Sequence, residues 1–227
     1  MFTFDSKLYR FFVELAKNNQ RDWFQSNKQR FEQEVQQPLL DYVEAMAKPL
    51  KKISPSILAI GKKSGGSLTR IYRDTRFAKD KTPYQNYLMA HFGPTASMQE
   101  PSAGFYLRVD AKGLTCGMGM CGDSRAIKLI RQHIDTHQKE FVRARDHRTF
   151  TQMYPEGITG ESLKRPPQGF DKDHPLLDDL KRKGFFTELT LPKRQATKKD
   201  VVEYSMAAFK AAKPLVAFLN RAMNVDF

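Results

Sequence analysis

Up to Leu50 the apolar residues of this 227-residue chain recur every three or four positions, and between Ser67 and Cys121 they recur mostly every second position. The first spacing lines one face of a helix and the second one face of a strand, so the two stretches cannot share a secondary structure. Ser54-Pro55 stands at the change. Helices bracketing a run of strands make an α+β fold. The expectation is one domain over 1–227, an antiparallel β-sheet flanked by N-terminal and C-terminal helices.

The pattern divides that domain into a helical part (1–53), a sheet-rich part (67–121), a helix (123–145), a loop-rich stretch (146–175) and a helix–strand–helix unit (176–227). Asp5 or Ser6 caps a first helix whose apolar face is Leu8, Phe11, Phe12 and Leu15, and Asn18-Asn19 end it. From Asp22 the stripe Phe24, Phe31, Val35, Leu39, Tyr42, Met46, Leu50 stays in register across Pro38, which predicts one kinked helix. Trp23 opens it as a packing anchor. Strands are expected at 67–73, 87–92, 103–110 and 114–121, with a hairpin turn at Asp110–Gly113. Gly117 and Gly119 fall on one face of the last of these, so a helix or a ligand should approach there closely.

Further on, Ile127, Ile130, Ile134, His137 and Phe141 share a helical stripe, which makes His137 a core histidine. A short helix over 176–183, capped by Asp173, precedes a strand at 185–191. The final helix has Thr197 and Asp200 in capping-box positions. Its inner face is Val201, Tyr204, Met206, Phe209, Leu215, Phe218 and Leu219.

The chain has 38 Lys and Arg against 25 Asp and Glu, a net charge of +13. Such a balance favours nucleic acid, anionic lipid or phosphorylated metabolites as partners, or serves solubility alone. No apolar run approaches the roughly 20 residues that span a bilayer, so no membrane partner is expected. MFTFDSKLYRFF has no signal-peptide pattern, and the protein reads as cytoplasmic. Cys116 and Cys121 are the only cysteines; five residues apart on one strand they point to opposite faces, as buried thiols rather than a disulfide.

Charge is densest in RIYRDTRFAKDKTPY, residues 70–84. Arg70, Arg73 and Arg76 recur every third residue, and guanidinium is suited to a bidentate grip on phosphate or carboxylate; Lys79 and Lys81 add point charges. Asp74 and Asp80 are the candidate catalytic carboxylates, able to orient the arginines, take a proton from water or hold Mg²⁺ beside a phosphate. Tyr72 and Tyr84 can stack on a base or bond an oxyanion. The same mixture also makes a salt-bridge network that fixes a loop and binds nothing. A second segment, Arg165-Pro-Pro-Gln-Gly-Phe170-Asp-Lys-Asp-His174-Pro, has the rigidity of a loop that closes over a site, and Arg165 and His174 are its candidate ligand-binding residues. The bland reading is an ordered connector.

The string Arg70-x-Tyr72-Arg73-Asp74-Thr75-Arg76-Phe77, followed by Asp80-Lys81-Thr82-Pro83-Tyr84, resembles the signature of a bacterial and fungal family called domain of unknown function 2461. The opening FFVELAKNNQRDWFQSNKQRFE (11–32) and RPPQGFDKDHP (165–175) extend the resemblance over nearly the whole chain. It implies an α+β fold and a protein of this size, and it implies no activity.

Other motifs fail on chemistry. Gly61-Lys-Lys-Ser-Gly-Gly66 has the glycines of a phosphate loop, but Ser67-Leu68 replaces the Lys-Ser/Thr pair and a strand follows where a helix belongs. His133 and His137 lie one helical turn apart without a third ligand, so no metal site is assigned, and no cofactor is implied. The basic run Lys181–Lys199 reads as a solvated edge. Two functions survive: a site for an anionic small molecule around Arg70–Tyr84, with a hydrolytic role open to Asp74 and Asp80, or a non-enzymatic nucleic-acid-binding domain. An enclosed pocket favours the first, and an open basic stripe with exposed Tyr or Phe favours the second.

Overall fold

A computed structural model describes residues 1–94, 101–120 and 123–227. Helix α1 (Ser6–Lys17) begins where the Asp5 carboxylate accepts the Lys7 amide at 2.8 Å, satisfying one orphan donor of the first turn. It buries Leu8, Tyr9, Phe11, Phe12 and Leu15. The expected single helix beyond it is interrupted. After α2 (Arg21–Ser26), Asn27 leaves helical geometry at φ −110° and ψ 10°, and α3 (Lys28–Phe31) restarts. A π-helical stretch (Glu32–Gln36) then runs into α4 (Gln37–Lys51). The chain stays helical through Pro38, as its stripe predicts. The adjustment falls just before the proline: the Gln37 amide reaches back five residues to the Glu32 carbonyl. That widened turn precedes a residue with no N–H and a ring that crowds the carbonyl four positions back.

The sheet has four antiparallel strands in the order β1 (Tyr87–Phe92), β2 (Gly104–Asp110), β3 (Gly113–Met120), β4 (Phe185–Pro192). At the β2–β3 turn the Asp110 carboxylate accepts the amides of Lys112 and Gly113, and Gly113 takes φ +153°. Residues 67–73 are not a strand of this sheet, contrary to the periodicity. They divide their hydrogen bonds between two partners: Ser67 and Thr69 pair with β1, whereas Ile71 and Arg73 pair with the returning Pro83 and Gln85. Pro83 has no N–H to return, so no regular ladder forms.

Leu88, Ala90 and Phe92, with Phe105, Leu107, Cys116 and Met118, lie on the buried face of the sheet. The long helix α10 (Val201–Ala222) packs on that face, with Phe209 stacked on Phe105 at 4.8 Å. Asp200 caps it at the Glu203 amide and also accepts the Phe2 amide; Thr197 lies outside that cap, at the end of α9 (Lys193–Ala196). Burial pushes the Cys116 thiol up to about 12, the behaviour of an inert core thiol. Cys121 lies outside the described residues.

Between 123 and 145 the expected helix is two, α5 (Ser124–Thr136) and α6 (Gln138–Arg145), broken at His137. His137 is exposed and its imidazole bonds Thr136, so the core-histidine expectation fails. Ile134 and Phe141, on either side of the break, are both buried. A helix, α7 (Arg148–Met153), also lies in the stretch expected to be loop. Ahead of α8 (Leu177–Leu180), the Leu176 amide is accepted by the His174 imidazole, and Asp173 caps nothing. One continuous hydrophobic core runs from Phe4 to Val225. Among the described residues no helix is long and apolar enough to cross a membrane.

Asn220 fastens α10 to the entrance of β2, taking the Ala103 amide at 2.9 Å and donating to the Ala103 carbonyl at 3.0 Å, all fully buried. Asn220→Ala strands both backbone groups, and urea unfolding is expected to register a loss of about 2–4 kcal/mol.

Candidate anion-binding site

The segment 70–84 leaves the edge of β1 as a loop closed at its base by the Tyr72–Tyr84 bridge. The Tyr84 ring stacks on Phe24 at 4.0 Å, and the Asn19 amide side chain bonds both the N–H and the C=O of Tyr84. Burial raises the Tyr84 hydroxyl above its ordinary pKa. Tyr84 is therefore a buried post at the base of the loop.

Within the loop the charges satisfy one another. Asp74 accepts the Arg76 side chain at 2.7 and 3.0 Å and the Arg76 amide at 3.2 Å. These bonds, the guanidinium first, hold the Asp74 carboxyl below its ordinary range. Arg73 bonds Asp80 and Thr82, and Asp80 also takes the Thr82 amide at 2.9 Å. Lys81 donates to the Thr75 carbonyl at 2.9 Å. Lys79 and Phe77 point to solvent, Phe77 at 95% exposure, and Tyr72 is 54% exposed.

Arg70 differs from the other arginines. Its guanidinium makes no hydrogen bond or ion pair among the described residues, and it lines a cavity of about 250 Å³ with Lys28, Lys63 and Tyr72. Three segments meet there: the start of α3 with the π turn, the glycine loop 61–66, and the extended run 69–72. Phe24 and Phe31 form an apolar wall, and Glu32 is the one carboxylate at the lining. Neither Lys28 nor Lys63 has an ion pair among the described residues. Of the residues expected to hold a ligand, the structure brings Arg70 and Tyr72 to this cavity; Arg73, Asp74, Arg76, Lys79, Asp80, Lys81 and Tyr84 do not line it.

Arg165 and His174 lie elsewhere. His174 bonds Asp135 and Gln138 as well as the Leu176 amide, which ties the 165–175 connector to α5 and α6. That region attaches to β4 through Thr159 and Phe186, whereas 67–72 attaches to β1. The two edges are three strand spacings apart, about 14 Å. Arg165 is exposed and unpaired among the described residues.

Lys28 lies within the 11–32 stretch that carries the family resemblance, but nothing local marks it as a ligand group, because Lys63 and Arg70 are 35 and more residues away. Lys63 lies in the glycine-rich loop that fails as a phosphate loop, so that motif marks a wall of the cavity while naming the wrong chemistry. Among the described residues no group of three or more His, Cys, Asp or Glu side chains is placed to hold a metal ion.

A family described as "Conserved hypothetical protein (DUF2461)" matches the chain over residues 7–218. No curated protein and no solved structure matches it.

The loop's pairing has a pH signature. The Arg73 guanidinium, then the Thr82 amide and hydroxyl, lower Asp80 from 3.8 to about 2. A depressed folded pKa means that its stabilising effect is complete above the unfolded value and is lost as pH falls through the folded one. Carboxyl carbon NMR is expected to show Asp80 ionised down to about pH 2, and Arg73→Ala to move its titration up toward the unfolded range.

Proposed function

The chain belongs to the DUF2461 family of conserved hypothetical proteins, and we propose that it binds a small phosphate- or carboxylate-bearing molecule in the cavity lined by Lys28, Lys63 and Arg70. The observation that carries this reading is the contrast among the cations. Arg73 and Arg76 are matched with aspartates inside their own loop, whereas Lys28, Lys63 and Arg70, from separate segments, line one hollow without ion pairs among the described residues. Like charges brought together raise the free energy of the unliganded protein, and an anion between them reverses that term. Arg70 supplies a planar fork and the lysines point charges.

The aromatic wall suits a ligand whose acidic group is attached to a planar or apolar body. The cavity is smaller than the roughly 300–1,000 Å³ of drug-sized sites, so the body is small. The proposal is one of binding. Asp74 and Asp80 are turned to arginines, and Glu32 is the one carboxylate among the lining residues.

A second reading, single-stranded nucleic acid, draws on the loop tip. Phe77 is exposed beside Arg76, with Lys79 and Lys81 on the same loop, the combination of stacking face and phosphate contact that such ligands use. Lys193, Arg194, Lys198 and Lys199 are unpaired among the described residues, whereas Lys181, Arg182 and Lys183 pair with Asp178, Asp179 and Glu161.

Thermal melts separate these readings. A ligand at ten times its Kd stabilises the protein by about 1.4 kcal/mol. Phosphate is expected to raise the melting temperature of the wild type and of Arg76→Ala, and to leave Arg70→Ala unmoved. Absence of a shift in the wild type, or its persistence in Arg70→Ala, rejects the cavity. For the second reading, anisotropy of a labelled single-stranded oligonucleotide should fall in Phe77→Ala and weaken with salt by about 0.7 log units per phosphate contact; no binding at low salt rejects it.

A further inference from the structure

The face of the sheet turned away from α10 holds a larger hollow, of about 480 Å³, that involves none of the cations discussed above. Strand register builds it. His91, Tyr106, Gly117 and Glu188 form one row across the four strands. Gly117 has no side chain, so the Tyr106 ring spans its position and its hydroxyl donates to the Glu188 carboxylate at 2.9 Å. A Cβ on Gly117 would stand 1.8 Å from the Thr187 carbonyl oxygen, and one on Gly119 would stand 3.0 Å from the Phe186 ring. Neither glycine position is open, since the Thr187 carbonyl and the Phe186 ring occupy the space, and the hollow lies beside them with Gly119, Tyr106 and Phe186 in its lining. The close approach expected there from the sequence comes from neighbouring strands, not from a helix.

The polar groups around the hollow are incompletely satisfied. The Arg108 Nε is buried without a hydrogen bond among the described residues; it forms an ion pair with Asp110 at 3.8 Å, beyond hydrogen-bond reach. The Ser102 hydroxyl is buried and also lacks a partner among the described residues. The His91 imidazole has no partner among the described residues, and burial lowers its pKa, which keeps it neutral. Buried donors without acceptors are costly and uncommon in native proteins. Met89 and Phe186 supply apolar walls, and Glu188 provides an acceptor on the far side from Arg108.

We propose that this hollow binds a small amphoteric molecule of amino-acid type. Its carboxylate takes the exposed end of the Arg108 guanidinium, its ammonium or hydroxyl group donates to Glu188, and an apolar side chain lies against Met89 and Phe186. The pairing of one cation with one carboxylate across an apolar floor selects a dipolar ligand over a plain anion, which Glu188 repels. Arg70 lines a different cavity, so this site and the anion cavity stand or fall separately.

Saturation-transfer NMR and calorimetry with three probes test it: L-phenylalanine, 3-phenylpropionate without the amine, and 2-phenylethylamine without the carboxylate. The wild type and Arg70→Ala are expected to bind phenylalanine alike, and each truncated probe about tenfold or more weakly. Arg108→Met should lose the preference for phenylalanine over phenylethylamine, and Glu188→Gln the preference over phenylpropionate. The second variant is at an exposed position and keeps the test independent of folding defects at Arg108. No phenylalanine binding to the wild type, equal binding of phenylpropionate, or unaltered preferences in both variants overturns the proposal.

Discussion

Burial of one face of the sheet beneath α10 is the constraint from which the other features follow. Phe209 stacks on Phe105, Phe92 meets the same helix edge-on, and Asn220 locks the helix to the start of β2. Because side chains alternate across a strand, fixing Phe105, Leu107 and Val109 inward forces Tyr106 and Arg108 outward. The same parity sends Met89 and His91 out from β1. One packing decision therefore creates an inert core and an outward face that carries Met89, His91, Tyr106 and Arg108.

The β1 edge is the second consequence. An exposed edge presents unpaired amides and carbonyls, and the run 67–69 satisfies part of them before the chain departs into the loop. This partial docking carries Arg70 to the π turn and to the glycine loop at once. The loop beyond it organises itself through Asp74 and Asp80. Exposed ion pairs of this kind contribute little stability, so their effect is on shape: they hold the loop in one form and occupy Arg73 and Arg76. Of the arginines in 70–84, Arg70 is the one that lines a cavity.

Much of this architecture is legible in the sequence. Period, caps and turn residues locate α1, α10, three of the four strands in the 67–121 region and after it the strand at 185, together with the Asp110–Gly113 turn. What escapes is decided by partners far away in the chain. The alternation of 67–73 resembles a strand, but Pro83 and the shared edge of β1 prevent a ladder. His137 fits a helical stripe only until the helix breaks at it. The dense charge of 70–84 marks a real structural unit, yet spacing cannot tell which arginine meets an aspartate, and Lys28 and Lys63 join Arg70 only through folding. Gly117 and Gly119 do announce a close approach; which side chain fills the space depends on strand register.

The central claim is that an anion sits with Arg70, not with the arginines of the loop. Anomalous diffraction from crystals soaked in selenate addresses it directly. The expected result is a selenium peak between Lys28, Lys63 and Arg70. A peak at Arg73 or Arg76 with none in the cavity, or no ordered selenate at any of them, would contradict the account.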